Sequence, residues 1–220
     1  MRDHHLIRQG LFLIVPRLMS CMYFTILFIS FNLPVIPLMG SGVMSSAESE
    51  TSETSGTDIH TFPDLYFECH IAELNRNSRI ELFYNETVRH YINMYFTERA
   101  GQIPCIAERS SDLFPLFSSC LEDFNLPDEL KFLPVLESAL SETAVSPSGA
   151  VGLWQFKEET GISCGLKIDN WDDERVDAEA STIAACKYLS EMYKLFGDWH
   201  LALLAYQAGP GTIRRAILSS

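Results

Sequence analysis

The sequence predicts a mainly α-helical domain that follows an N-terminal export segment. Three stretches carry this prediction. Between residues 88 and 96, apolar side chains recur at the i, i+3, i+4, i+7 and i+8 spacing of an amphipathic helix. Residues 178–196 continue a helical apolar spacing and stop before Gly197, a residue type that commonly ends helices. Residues 199–208 are apolar nearly all round, which predicts a buried central helix.

Length and composition narrow the class of protein. The chain has 220 residues and a formal net charge of -13, which fits one domain with a leader and a linker. No Lys/Arg cluster follows the leader, so nucleic-acid binding is disfavoured. Five of the six cysteines follow the leader, without a CxxC pair or a histidine at ligand spacing. We therefore expect free thiols, or at most one or two disulfides, and neither a metal site nor a cofactor.

Residues 1–47 have the features of an export segment. Arginines precede a long apolar stretch at 21–39, and Ser45 and Ala47 suit the -3 and -1 positions of a signal peptidase site. We expect cleavage after Ala47 and delivery to the periplasm or cell envelope. An uncleaved anchor, with membrane association through residues 11–39, is the alternative.

Residues 48–58 are predicted to be a disordered linker. They are rich in Ser, Thr and Glu and contain no large apolar residue, so they cannot bury enough surface to offset their chain entropy. Residues 59–125 are predicted to form a helical N-terminal part of the folded domain. Asn85 should cap its clearest helix, Gly101 and Pro104 should end that helix, and Ser110 or Ser111 should open the next.

One carboxylate is placed unusually in the next predicted helix, residues 128–140. Pro134 is expected to kink or restart that helix. Glu137 shares one helical face with Leu130, Leu133 and Leu140. Burial on that face would raise its pKa and let it keep the proton that a general acid for glycosidic cleavage needs. Spacing alone also fits a solvated surface glutamate.

The segment after this helix is predicted to be irregular. Residues 141–148 hold Ser, Thr and Pro and should form a loop. Gly149 and Gly152 could either allow a turn or let the backbone approach a ligand. Trp154 could stack on a sugar ring or fill the core. Residues 161–177 are predicted to be an irregular connection.

Three segments, PVLESA at 134–139, SPSGAVGLWQ at 146–155 and AYQAGPG at 205–211, resemble three motifs of one family in their order and spacing. That family is the lytic transglycosylases of the goose-lysozyme-like superfamily. The similarity runs from about Arg79 to Ile217. It implies a lysozyme-like α-helical fold, with a catalytic (SLT) domain at 126–220.

The resemblance also implies a reaction and a substrate. Members of this family use one glutamate, first as acid and then as base, to cut peptidoglycan glycan strands between N-acetylmuramic acid and N-acetylglucosamine. The muramic 6-hydroxyl attacks its own anomeric carbon and leaves a 1,6-anhydro end. By position, Glu137 is that glutamate. An intramolecular nucleophile makes a second protein carboxylate dispensable, and spacing does not choose one among Glu142, Glu158, Asp169, Asp172 and Asp173.

The same resemblance assigns the substrate-binding residues. Ser138, Ser146 and Gln155 match positions that line the saccharide groove, and Tyr206 matches an aromatic residue near the acid. The full predicted substrate-binding set is Ser138, Ser146, Gly149, Gly152, Trp154, Gln155, Tyr206 and Gln207.

Two departures from the family pattern keep alternatives open. Gln207 stands where the third motif usually has asparagine, and the sequence ends at Ser220, where family members usually continue through another helix or two. Both departures fit a catalytically weakened, glycan-binding protein of the envelope. A hydrolytic muramidase of goose-lysozyme type is a second alternative, which shares the fold and differs only in whether water reaches the anomeric carbon.

Overall fold

The structure, a computed structural model, describes residues 64–219. The predicted export segment at 1–47 and the predicted linker at 48–58 lie outside the described residues. Between 64 and 219 the chain is mainly helical, and its β-type pairing is confined to isolated bridges, which confirms the predicted fold class. None of the helices in this range is both long and apolar enough to cross a membrane.

Eight α-helices occur in residues 64–219. They are α1 (Asp64–Leu74), α2 (Glu86–Thr97), α3 (Ile103–Asp123), α4 (Leu133–Ser138), α5 (Glu158–Ser163), α6 (Ala178–Phe196), α7 (Trp199–Ala208) and α8 (Pro210–Ser219). Short 3-10 helices lie at Ala100–Gln102, Asp128–Phe132 and Glu174–Val176.

Helices α1 and α2 pack together with Leu82 and Phe132 in a small apolar cluster. Asn85 caps α2 as predicted, because its Oδ1 accepts a hydrogen bond from the Val88 amide at 2.9 Å. The extended segment between the two helices is held by Asn75, whose side chain bonds both the amide and the carbonyl of Leu82 at 2.8 Å. The buried members of this cluster are Phe67, Ile71, Leu82, Val88, Ile92, Tyr95 and Phe132.

Helix α3 corrects a sequence prediction. It begins at Ile103, so the expected start at Ser110 or Ser111 is wrong. Pro104 lies in its first turn, where the missing N–H would have had no helical partner and the fixed φ favours the helix. The proline therefore begins this helix instead of terminating the one before it.

The main core is centred on α6 and α7. Asp177 and Asp198 cap these helices, accepting bonds from the amides of Ala180 at 2.7 Å and Leu201 at 3.0 Å. Gly197 ends α6 with a φ of 66°, as predicted. Helix α7 buries five of its ten residues, and this confirms it as a central helix. The large apolar cluster around it takes in residues from α3, α4, α6, α7 and α8.

Two further predictions need adjustment. The helix predicted over 128–140 is a 3-10 turn at Asp128–Phe132 followed by the short α4, with the restart at Pro134 that its ring geometry favours. The irregular connection predicted at 161–177 contains the end of α5 and a 3-10 turn. The five cysteines of the described region are free thiols.

Candidate active site

Glu137 lies in the last turn of α4, where the chain changes direction sharply. Ala139 and Leu140 both adopt the left-handed conformation, with φ values of 51° and 60°. The amide of Ala139 bonds the carbonyl of Val135 at 3.0 Å, which closes the helix. Leu140 is almost completely buried in the main core. The buried leucine fixes the chain just beyond the acid, so Glu137 is held at the end of a helix with little freedom.

The Glu137 carboxylate is partly buried and, among the residues that the structure describes, has one polar side-chain partner. The Gln207 amide nitrogen, on α7, donates to its Oε1 at 3.3 Å. Within residues 64–219, no lysine, arginine or histidine lies at ion-pair distance from it. Burial therefore raises the pKa of Glu137, and the Gln207 hydrogen bond opposes only part of that rise.

Tyr206 precedes Gln207 on α7 and connects the helix to the loop opposite. Its hydroxyl donates to the Trp154 carbonyl at 2.7 Å. Burial, followed by the nearby charge of Glu137, raises the pKa of Tyr206 well above its ordinary value. The hydroxyl thus stays protonated and remains a donor, and consecutive residues of α7 contact the acid and the loop.

Ser138 links α4 to the same loop. Its hydroxyl lies 3.0 Å from the Leu153 carbonyl and 3.1 Å from the Pro134 carbonyl, and it accepts from the Ser141 amide at 3.2 Å. The hydroxyl has a single hydrogen to share between the two carbonyls. These contacts orient the backbone beside Glu137.

The loop itself, residues 144–156, is called the glycine loop below. Ser146 closes its tip, because its Oγ accepts from the Ala150 amide at 3.0 Å and its own amide donates to the Ala150 carbonyl at 2.9 Å. Gly149 has a φ of 80°, and its amide bonds the Ser146 carbonyl at 3.0 Å. The tip is therefore a hydrogen-bonded turn with a left-handed glycine.

The second half of the glycine loop packs tightly against the core. Gly152 has a φ of 84°, and a Cβ at this position would collide with the Arg175 carbonyl. Gln155 also lies in the left-handed region, with a φ of 51°, and its amide nitrogen donates to the carbonyls of Gly152 at 2.9 Å and Ala144 at 3.2 Å. The loop is thus braced from within by one of its own side chains.

Comparison with known proteins identifies the region that carries these residues. Residues 121–220 match the family model described as Transglycosylase SLT domain. This segment is a transglycosylase SLT domain. It contains Glu137, the glycine loop and the α7 pair of Tyr206 and Gln207.

Individual relatives match this chain over similar lengths. Membrane-bound lytic murein transglycosylase D of Escherichia coli (strain K12) is 43% identical over 94 residues, which are 42% of this chain and 21% of that protein. A protein of Alteromonas sp. (strain M-1) named for tributyltin chloride resistance is 38% identical over 98 residues, covering 44% of this chain and 47% of its own. Peptidoglycan transglycosylase gp16 of Escherichia phage T7 is 36% identical over 88 residues, or 39% and 7% of the two chains. The chain thus spans about a fifth of the length of the first relative.

The structure brings most of the sequence-predicted residues of the SLT domain together, but not all in the expected role. Glu137 and Gln207 are in direct contact, and Ser138 and Tyr206 bind adjacent carbonyls of the glycine loop. Trp154 is different. Its side chain has no exposed surface, so its ring cannot stack on a saccharide, and only its carbonyl contributes to the site.

Three of the five carboxylates considered above as a second catalytic group form ion pairs with basic side chains. Asp169 and Asp172 lie within 3.8 and 3.0 Å of the Lys167 ammonium, and Asp173 binds Arg175 at 2.7 Å. No group of His, Cys, Asp and Glu between residues 64 and 219 is arranged to hold a metal ion.

Sequence reasoning missed Arg175. It lies in the stretch predicted to be an irregular connection, yet it is one of few buried charged residues of the described region. The available signal was a single arginine within an acid-rich run, which predicts a specific partner for that charge.

Proposed function

We propose that the protein is a peptidoglycan lytic transglycosylase. It cleaves the β-1,4 bond between N-acetylmuramic acid and N-acetylglucosamine and forms a 1,6-anhydromuramic end. The observation that carries this proposal is the Glu137 carboxylate, partly buried within an SLT domain, with a neutral amide partner and a raised pKa. The names of two relatives, a lytic murein transglycosylase and a peptidoglycan transglycosylase, agree with it.

Glu137 acts first as a general acid. Burial raises the pKa of its carboxyl and so favours the protonated form, and the proton passes to the glycosidic oxygen as the bond to the anomeric carbon breaks. The resulting carboxylate then accepts the proton of the muramic 6-hydroxyl as that oxygen attacks the anomeric carbon. The proton gained in the second step replaces the one lost in the first, so Glu137 is ready for another cycle.

Gln207 orients the Glu137 carboxyl, and the substrate supplies the nucleophile. The Gln207 amide holds Oε1, which leaves the second oxygen of Glu137 available for proton transfer. Because the nucleophile belongs to the substrate, it reacts at a high effective concentration, and no protein nucleophile is needed. The ion pairs of Asp169, Asp172 and Asp173 also favour a mechanism with one catalytic carboxylate.

The substrate argues for a location in the cell envelope, where peptidoglycan lies. Export through residues 1–47 and membrane association through residues 11–39 stay predictions from the sequence.

The test compares the full chain with its Glu137→Gln variant on purified peptidoglycan, with the soluble products weighed by mass spectrometry. We expect products lighter by one water than hydrolysed muropeptides, and a rate at least about 10²-fold lower in the variant. Glu122→Gln, which changes an exposed carboxylate on α3, is the control and should keep its activity.

Each other result has a defined meaning. Hydrolysed reducing ends would make the protein a muramidase. Binding to insoluble wall material without any product from the folded chain would make it a weakened glycan-binding protein. Equal activity in the Glu137→Gln variant would remove Glu137 from the mechanism.

A further inference from the structure

Arg175 is a buried arginine, and each of its three guanidinium nitrogens donates a hydrogen bond. It lies in the 3-10 turn Glu174–Val176, and its side chain is only 10% exposed. Its Nε donates to Asp173 Oδ1 at 2.9 Å and its Nη2 to Asp173 Oδ2 at 2.7 Å. This two-point bond fixes the plane of the guanidinium and neutralises its charge.

The remaining nitrogen of Arg175 contacts the glycine loop. Nη1 donates to the Phe156 carbonyl at 3.3 Å and to the Gly149 carbonyl at 3.4 Å. Between these two points, the backbone carbonyl of Arg175 packs so closely against Gly152 that only a hydrogen fits. One residue outside the loop therefore contacts it at positions 149, 152 and 156.

The glycine loop in turn holds the two residues that flank the Glu137–Gln207 pair. The Leu153 carbonyl accepts from Ser138, beside the acid, and the Trp154 carbonyl accepts from Tyr206, beside Gln207. Both carbonyls lie between the outer two points that Arg175 holds. A shift of the loop would therefore move Ser138 and Tyr206 together.

We propose that Arg175 is a positioning residue: it clamps the glycine loop so that the Leu153 and Trp154 carbonyls hold Ser138 and Tyr206 in place beside Glu137. The clamp is a property of the fold, whereas its effect on catalysis rests on the function proposed above. Arginine suits this position because its planar fork reaches a carboxylate and two carbonyls at once. A lysine ammonium could keep the charge pair but not the same set of directions.

The experiment uses the full chain and compares Arg175→Lys with wild type. The matched control is Arg89→Lys, since Arg89 also pairs with an aspartate, Asp64, at 3.0 Å, but on the N-terminal helices. Hydrogen exchange of the loop amides, the thermal midpoint, and kcat and KM on peptidoglycan across pH are measured for all three.

If Arg175 clamps the loop, Arg175→Lys should exchange the amides of residues 149–156 faster while those of α6 and α7 keep their protection. Its kcat should fall about tenfold or more, because small misplacement of reacting groups is costly. Water admitted beside Glu137 should also lower the pKa of that carboxyl and move the basic limb of the pH–rate profile to lower pH. Arg89→Lys should match wild type in kcat and in loop exchange.

A second variant keeps the test decisive if Arg175→Lys does not fold. Asp173→Asn with Arg175→Met removes both charges, so that no unpaired carboxylate is left. It should show the same fast exchange of the loop. Wild-type loop exchange in both Arg175 variants would overturn the clamp, as would a kcat loss no larger than in Arg89→Lys. A folded but inactive wild-type chain would overturn the proposed function instead, and the exchange comparison would still decide whether Arg175 holds the loop.

Discussion

At the scale of single residues, two effects shift the pKa of the Glu137 carboxyl in opposite directions. Burial disfavours its charged form, whereas the hydrogen bond from Gln207 favours it. Burial is the larger effect, so the pKa of Glu137 lies above that of an ordinary glutamate. The acid step of the proposed mechanism needs the protonated form, and kcat/KM should therefore be level at low pH and fall as pH rises through this raised pKa.

The same raised pKa predicts how stability depends on pH. Because the folded pKa of Glu137 exceeds its unfolded pKa, its contribution is fully present below the unfolded value and is lost as pH rises through the folded value. The amide side chain in Glu137→Gln has no proton to gain or lose in this pH range. Thermal unfolding from pH 4 to pH 8 should therefore show a Glu137→Gln midpoint that gains on wild type as pH increases. A Glu137→Gln midpoint that falls relative to wild type as pH increases would contradict the buried acid.

Gln207 offers a second test at this scale. Gln207→Leu removes the only side-chain hydrogen bond that the structure records to Glu137 among residues 64–219, and the pKa of the acid should rise further. The basic limb of the pH–rate profile should then move to higher pH, while kcat falls because the carboxyl is less well oriented. Gln102→Leu, in the exposed end of the 3-10 turn before α3, is the control and should leave the profile unchanged. An unmoved limb in Gln207→Leu would mean that the bond does not tune the acid.

At the scale of elements, the glycine loop contains a natural matched pair. Gly149 and Gly152 have almost the same φ, 80° and 84°, but only Gly152 has backbone in the way of a Cβ. Gly149→Ala should therefore lower the free energy of unfolding by about 1 kcal/mol, the cost of left-handed alanine alone. Gly152→Ala adds the collision with the Arg175 carbonyl and should lower it by roughly 3 kcal/mol or more. Urea unfolding of both variants measures the difference, and equal losses would contradict the close packing.

At the scale of the whole molecule, Trp154 joins the loop to the helical core. Its indole nitrogen donates to the Thr182 hydroxyl on α6 at 2.9 Å, and its ring packs edge-on against Phe117 of α3 at a centroid distance of 5.4 Å. One side chain thus connects three parts of the fold.

Thr182→Val tests that connection. It preserves the shape of the side chain but leaves the buried indole N–H without a partner, and the free energy of unfolding should fall by about 1–3 kcal/mol. Thr97→Val removes an exposed hydroxyl bonded to the Asn93 carbonyl and should change stability by less than about 0.5 kcal/mol. Equal effects in chemical denaturation would argue against a structural role for the buried pair.

The sequence predicted the long helices well because their signals are local. Asn85, Asp198 and Gly197 act within one turn of the chain, and apolar spacing identified α6 and α7. Pro104 misled because a proline can end one helix or begin another, and the choice depends on what packs around it.

Predictions at the site were limited by contacts between distant parts of the chain. Glu137 was predicted as the catalytic acid from its spacing and the motif around it, and the structure adds its partial burial and its contact with Gln207. The burial of Trp154, by contrast, depends on Thr182, and the role of Arg175 depends on carbonyls 19 and 26 residues away. Such pairings are set by the tertiary fold, and no periodicity in one sequence reveals them.

The left-handed turn after Glu137 has a consequence for how this domain could be engineered. An alanine at a φ of 51° costs about 1 kcal/mol relative to a glycine, which adopts this conformation freely. Variants with glycine at 139 should therefore be enriched in a screen for heat tolerance. The same glycine would loosen the end of α4, where the acid is held. Residue 139 is thus a position where selection for thermal robustness and selection for turnover favour different amino acids.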